Sequence, residues 1–284
     1  MNPKTDLNID SNPSFLKEKL QYLRSLQNPT EEDLSDILCF FSDSNANEIL
    51  CAAAIPVFQK AGKLASDLLF SIYSGFSDFP DNSVDSVSVD SVSVDSGSVN
   101  SVSVDSETDE KLKIRFSYAL SQIAETPADV FISFLSSDIP RVRQNAVIGL
   151  SLKNNPEFDS VFLNVLQNDS DPETAFEAAA ALEKSGADSL KFFEIVMADD
   201  IKHNPYIDSE TKLKTSDISY IESEVDSEMK CIDNHVISKV IEASGRFGNE
   251  KTIQYLTPYL SGGDERISKT AEEAIQTIQS KIKS

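Results

Sequence analysis

The chain has 284 residues, 40% of them hydrophobic, and carries 25 Lys and Arg against 47 Asp and Glu, for a formal net charge of −22. That length supplies a real core for one elongated domain or two small ones. The lack of Trp, a Gly count of only nine and a longest apolar run of nine residues (50–58) exclude a collagen, a β-rich secreted scaffold and a membrane span.

In chain order, residues 1–75 come first. The polar opening Met1-Asn2-Pro3 lacks the basic-then-apolar order of a signal peptide, so the expectation is a cytoplasmic protein. Phe15, Leu16, Leu20, Leu23 and Leu26, then Leu34, Ile37, Leu38 and Phe41, fall at helical spacing and predict a capping hairpin over 14–43. Leu50, Ala54 and Phe58 open a further hairpin. Residues 76–107 form a Ser/Val/Asp tract in which Asp85, Asp90, Asp95, Asn100 and Asp105 recur every five residues. An odd period turns successive Asp and Val residues to opposite faces of a strand, so an acidic low-complexity loop is expected there.

Residues 108–198 carry the clearest unit, opening at Asp138-Ile139-Pro140. Val142, Ala146 and Leu150 then form one helical stripe, with Asp138 as N-cap and Pro140 in the first turn. Phe158, Val161, Phe162, Val165 and Leu166 form the partner stripe after Asn154-Asn155-Pro156. A shift of 32 residues brings Ala178, Ala179 and Leu182 onto the first stripe, and a shift of −30 brings Leu112, Phe116 and Leu120. Residues 199–230 hold nine acids to four bases and stand as an acidic insert or a decayed repeat containing Ile218, Tyr220, Ile221 and Val225. In 231–284, Val236, Val240 and Ser244 match the frame, as do Ile267, Ala271 and Ile275. Six frames spaced by about 31 residues or twice that predict an all-α solenoid of stacked helix hairpins, because one hairpin cannot bury its apolar face alone.

The segment Asp138-Ile139-Pro140-Arg141-Val142-Arg143, with Ala146 and Leu150 after it, resembles the HEAT repeat, in particular the short prokaryotic, phycobilisome-lyase-like type. Gly245-Arg246-Phe247-Gly248-Asn249-Glu250 resembles that family's turn between helices. The resemblance implies a curved superhelix that grips another macromolecule. It also implies a structural Arg143, donating to carboxylates or carbonyls at a repeat junction with Asp171 as a candidate acceptor. Kinship alone suggests the alternative of a chromophore-lyase-like or other HEAT-related enzyme or accessory subunit.

The chemistry-bearing residues are sparse. Cys39, Cys51 and Cys231 lack Cys-x-x-Cys spacing, and Cys39 and Cys51 sit among apolar neighbours, so the three are expected to be reduced core thiols. His203 and His235 lack the His-Glu pairs of a HEAT-like hydroxylase. No phosphate loop, Ser elbow or Cys/His dyad is present, so no catalytic residue, metal or cofactor is expected. The acidic balance disfavours nucleic acid. The expected function is a non-enzymatic scaffold or adaptor for another protein. Tyr255 and Tyr259 form a second stripe beside Ile253, Leu256 and Leu260, which makes them candidate anchors, with Arg246 and Lys251 nearby as cations for an acidic partner.

Overall fold

A computed structural model describes residues 13–76, 106–204, 207, 232–261 and 263–283. The Ser/Val/Asp tract beyond Phe76, most of the second acidic stretch with its candidate decayed repeat, and Cys231 lie outside the described residues. The described residues are all helix and connection, with no strand among them. No described helix is long and apolar enough to cross a membrane. The chain separates into two compact units, Met1–Gly149 and Leu150–Ser284.

The first unit opens with α1 (Pro13–Ser25) and α2 (Glu31–Phe41). Thr30 starts α2 with a capping box: its hydroxyl accepts from Asp33 N, and Asp33 Oδ2 accepts from Thr30 N at 2.9 Å. Tyr22 Oη on α1 donates to Asp33 Oδ1 at 2.7 Å and so pins the hairpin together. These donors, the Thr30 amide first, hold the Asp33 carboxyl below its ordinary range. The same contact and partial burial push the Tyr22 phenol up to about 12.

Next come α3 (Glu48–Ala61) and α4 (Lys63–Tyr73), joined by Gly62 alone. Gly62 has φ 56° and ψ −124°, a backbone conformation that a side chain disfavours, and a Cβ there would stand 3.0 Å from the Glu125 carboxylate. Then follow α5 (Ser106–Ser121), α6 (Ala128–Phe134) and α7 (Pro140–Leu152), whose last turn crosses into the second unit. An aromatic cluster knits these helices. Phe41 meets Phe58 and Phe116 edge-on with centroids 5.1 and 5.3 Å apart, and all three are fully buried.

The second unit holds α8 (Asp159–Asn168), α9 (Pro172–Lys184), α10 (Leu190–His203), α11 (Asn234–Phe247), α12 (Thr252–Leu256) and α13 (Glu265–Lys283). Here the first helices of successive hairpins lie side by side, α9 on α11 and α11 on α13, while α10 packs on α12. This is the α-solenoid arrangement of stacked hairpins. The repeat frame is its core: Ala178, Ala179 and Leu182, then Val236, Val240 and Ser244, then Ile267 and Ala271 are all buried.

Four expectations need correction. Residues 199–203 belong to α10, and Asp200 is buried within it, so the helical repeat runs past the expected boundary at 198. Gly245 is not in a turn but inside α11. A Cβ on it would stand 2.8 Å from Ala274 Cα and Cβ, so the missing side chain is what lets α11 and α13 touch. Cys39 is exposed on α2, because its neighbours Ile37, Leu38 and Phe41 take the inward face, whereas Cys51 is buried. Finally, α12 stops at Leu256 and continues as a 3₁₀ turn over Thr257–Ser261. With three residues per 3₁₀ turn, Tyr259 falls beneath Leu256, and Leu260 is thrown outward to 42% exposure.

Candidate functional site

The four residues proposed from sequence do not form one surface. Tyr259 is 1% exposed, and its hydroxyl donates to Asp200 Oδ2 at 3.0 Å. It is a core residue joining the 3₁₀ turn to α10, not a surface anchor, and the change of helical winding is the reason. Tyr255 is half-buried beside Glu194 of α10. Its phenol is pushed up by burial and then by that carboxylate. Arg246 on α11 donates to Glu183 Oε1 of α9 at 2.5 Å and pairs with Glu242. Lys239 holds the other oxygen of Glu183 at 2.6 Å, so Arg246 serves the joint between α9 and α11. Lys251 is exposed, and its amide donates to Asn249 Oδ1 at 2.9 Å. Arg143 Nη1 donates to Ser137 O in the loop before α7 at 2.9 Å.

The structure instead assembles a cleft within the first unit. α3 and α5 run in the same direction and are tied at one end by Gln59 Nε2, which donates to Gln122 O at 3.1 Å. α5 packs on α4, and a cleft of about 320 Å³ lies between α3 and α5. Phe41, Cys51, Ala52 and Ile55 form one wall, Ile114 and Tyr118 the other, and Arg141 and Asn145 of α7 close the far side. Most of this surface is apolar, and Tyr118 remains 44% exposed. The charged lining is Lys111, Arg115 and Arg141 against one carboxylate, Glu48.

Those cations have different tasks. Arg115 is 8% exposed, with Nη1 donating to Phe41 O at 2.9 Å and Asp43 O at 2.6 Å, and Nη2 3.4 Å from Glu48 Oε1. It therefore neutralises the carbonyl end of α2, where the helix dipole is negative, and fixes the cleft floor. Asn145 does the equivalent one hairpin later: Nδ2 donates to Ile114 O at 3.2 Å and to Ser117 Oγ at 2.9 Å. Its Oδ1 lies beneath the lining with no partner among the described residues. Lys111 and Arg141, by contrast, lie at the surface. Lys111 Nζ is 3.5 Å from Glu48 Oε1, and Arg141 donates to Gln144 Oε1.

Sequence reasoning passed over this cleft, yet its signal lay in the repeat frame. Under the shift of −30, Arg141 falls on Lys111 and Asn145 falls on Arg115. A cation at one frame position and a carbonyl donor at another thus recur in consecutive first helices. A second groove, of about 620 Å³ and lined by Glu157, Asp159, Asp188, Glu194 and Lys191, lies in the second unit and is acidic. Among the described residues no three His, Cys, Asp or Glu side chains converge in a metal-binding arrangement.

No family model matches the chain, and no curated protein matches it in sequence. Among solved structures, human deoxyhypusine hydroxylase in complex with glycerol is similar to this chain at 13% identity, over 95% of this chain and 100% of that one. The TM-score is 0.28, a value at which the likeness bears on neither the activity nor the site, and the fold class rests on the helix packing described above.

Proposed function

We propose that this chain is a non-enzymatic, HEAT-like docking module that holds a segment of another protein in the cleft between α3 and α5. The observation that carries the reading is the cleft itself: a mostly apolar trough with Phe41 and Tyr118 in its walls and surface cations at its rim, braced by the hydrogen bonds of Arg115 and Asn145. A volume of about 320 Å³ lies at the lower end of the ~300–1,000 Å³ range of ligand pockets, enough for one large side chain and its neighbours. Rigid walls keep the ordering cost of binding low.

The test is selection of displayed proteome peptides on the full chain, followed by fluorescence anisotropy with Ala52→Trp. Ala52 is exposed on α3 at the cleft, so the indole fills the trough without disturbing the core. Peptides that bind the natural chain and lose about tenfold or more in affinity for Ala52→Trp, a change of about 1.4 kcal/mol, support the reading. Failure to select any peptide, or equal affinity for Ala52→Trp, refutes it.

A further inference from the structure

Resting on that docking reading, we infer that the occupant of the cleft is an acidic peptide carrying one large apolar anchor. The charge of the lining opposes that of the protein. The chain as a whole carries −22, yet the cleft presents three cations to one carboxylate. Arg115 is committed to the carbonyls of Phe41 and Asp43 and shares Glu48 with Lys111, so the groups a ligand meets at the rim are Arg141 and the exposed half of Lys111. Lys111 projects from α5 with half its side chain exposed, and Arg141 is exposed on α7, so the two cations stand on neighbouring helices.

An apolar side chain entering over Ile114 and Ile55 carries its flanking residues past both. Carboxylates on those flanks find charge-assisted partners, whereas ammonium or guanidinium groups there meet like charge, which penalises the wrong ligand more than it rewards the right one. The distant acids of the chain do not cancel this preference, because charges beyond ~8 Å are largely screened at physiological ionic strength. From residue 48 to residue 55 the cleft follows about two turns of helix, or ~11 Å, so three or four extended peptide residues span it. The occupant is therefore a short segment and not the face of a folded domain.

The experiment uses the full chain and fluorescein-labelled synthetic peptides read by anisotropy. One peptide is Glu/Asp-rich with a central Phe, one is Lys-rich with the same Phe, one is acidic with Ser in place of Phe, and one copies residues 84–105 of this chain. The expected result is binding of the acidic Phe peptide alone. Lys111→Glu and Arg141→Glu should each weaken it about tenfold, and the double variant should gain the Lys-rich peptide. Unchanged far-ultraviolet circular dichroism verifies the fold of each variant.

Equal binding of the Lys-rich peptide to the natural chain, or indifference to both charge reversals, overturns the inference. Tight binding of the 84–105 peptide overturns it too, since the cleft would then suit the chain's own Ser/Val/Asp tract. Peptides that respond to Ala52→Trp but not to charge reversal sink the acidic class and leave the docking site standing. Peptides indifferent to Ala52→Trp sink the site itself.

Discussion

Gly245→Ala tests the packing of α11 on α13. In an exposed helix this change stabilises by about 0.8–1 kcal/mol, because Ala loses less backbone entropy than Gly. At Gly245 the new methyl would stand 2.8 Å from both Cα and Cβ of Ala274, about 1 Å inside the ~3.5–4.0 Å at which carbon atoms pack. Ala274 belongs to the body of α13, so relief requires that helix to recede from α11. Overpacking of this kind costs about 1–3 kcal/mol, which cancels the propensity gain and leaves a net destabilisation of up to about 2 kcal/mol. Lys281, which donates to Gly245 O at 3.3 Å and to Arg246 O, shifts with α13 and loosens the end of α11. The assay is urea unfolding with hydrogen-exchange mass spectrometry, reading the α11 and α13 peptides separately because a two-unit chain need not unfold in one step. Faster exchange confined to α11 and α13 is expected. Stabilisation by ~1 kcal/mol, the value for an uncrowded helical Gly, would refute the close approach.

Two further outcomes follow from single contacts. Tyr259→Phe leaves the buried Asp200 carboxylate with Asn204 as donor but without its 3.0 Å phenol, and should destabilise by about 2 kcal/mol, visible in thermal melting. An unchanged melting temperature would return Tyr259 to the surface. The Asp33 carboxyl lies below its ordinary range in the folded chain, so its contribution is fully present above the unfolded value of 3.8 and is lost as pH falls through the folded one. The protection of the Thr30 and Asp33 amides relative to their intrinsic exchange rates, followed by nuclear magnetic resonance from about pH 6 to about pH 3, should drop at the acid end in the natural chain. In Asp33→Asn that pH step should vanish, and its persistence would assign the effect to another carboxylate.

The hairpins were legible because the period of 3.6 is carried by residues with nowhere else to go. Leu112, Phe116 and Leu120 are buried as the frame demands, and so are Val142, Ala146 and Leu150. What escaped were features set by winding and by helix-to-helix distance. A stripe drawn at 100° per residue through Ile253, Leu256 and Leu260 assumes that the α-helix continues, and the 3₁₀ turn at Thr257 exchanges Leu260 for Tyr259. Gly245 beside Gly248 has the composition of a turn, and only the contact with Ala274 shows that it serves a close crossing. The cleft draws on helices whose equivalent residues are 30 or more positions apart. No local window contains it, although the paired positions Lys111 and Arg141 were present in the frame.

Site-specific photocrosslinking shows directly whether the cleft between α3 and α5 receives a partner segment. Benzophenone-bearing residues are placed singly at Tyr118, which lines the cleft and is 44% exposed, and at Leu152, which is 56% exposed outside it. With the acidic Phe peptide bound, a crosslink is expected from position 118 to the peptide at or beside its Phe, and none from position 152. A crosslink from 152 with none from 118 would contradict it.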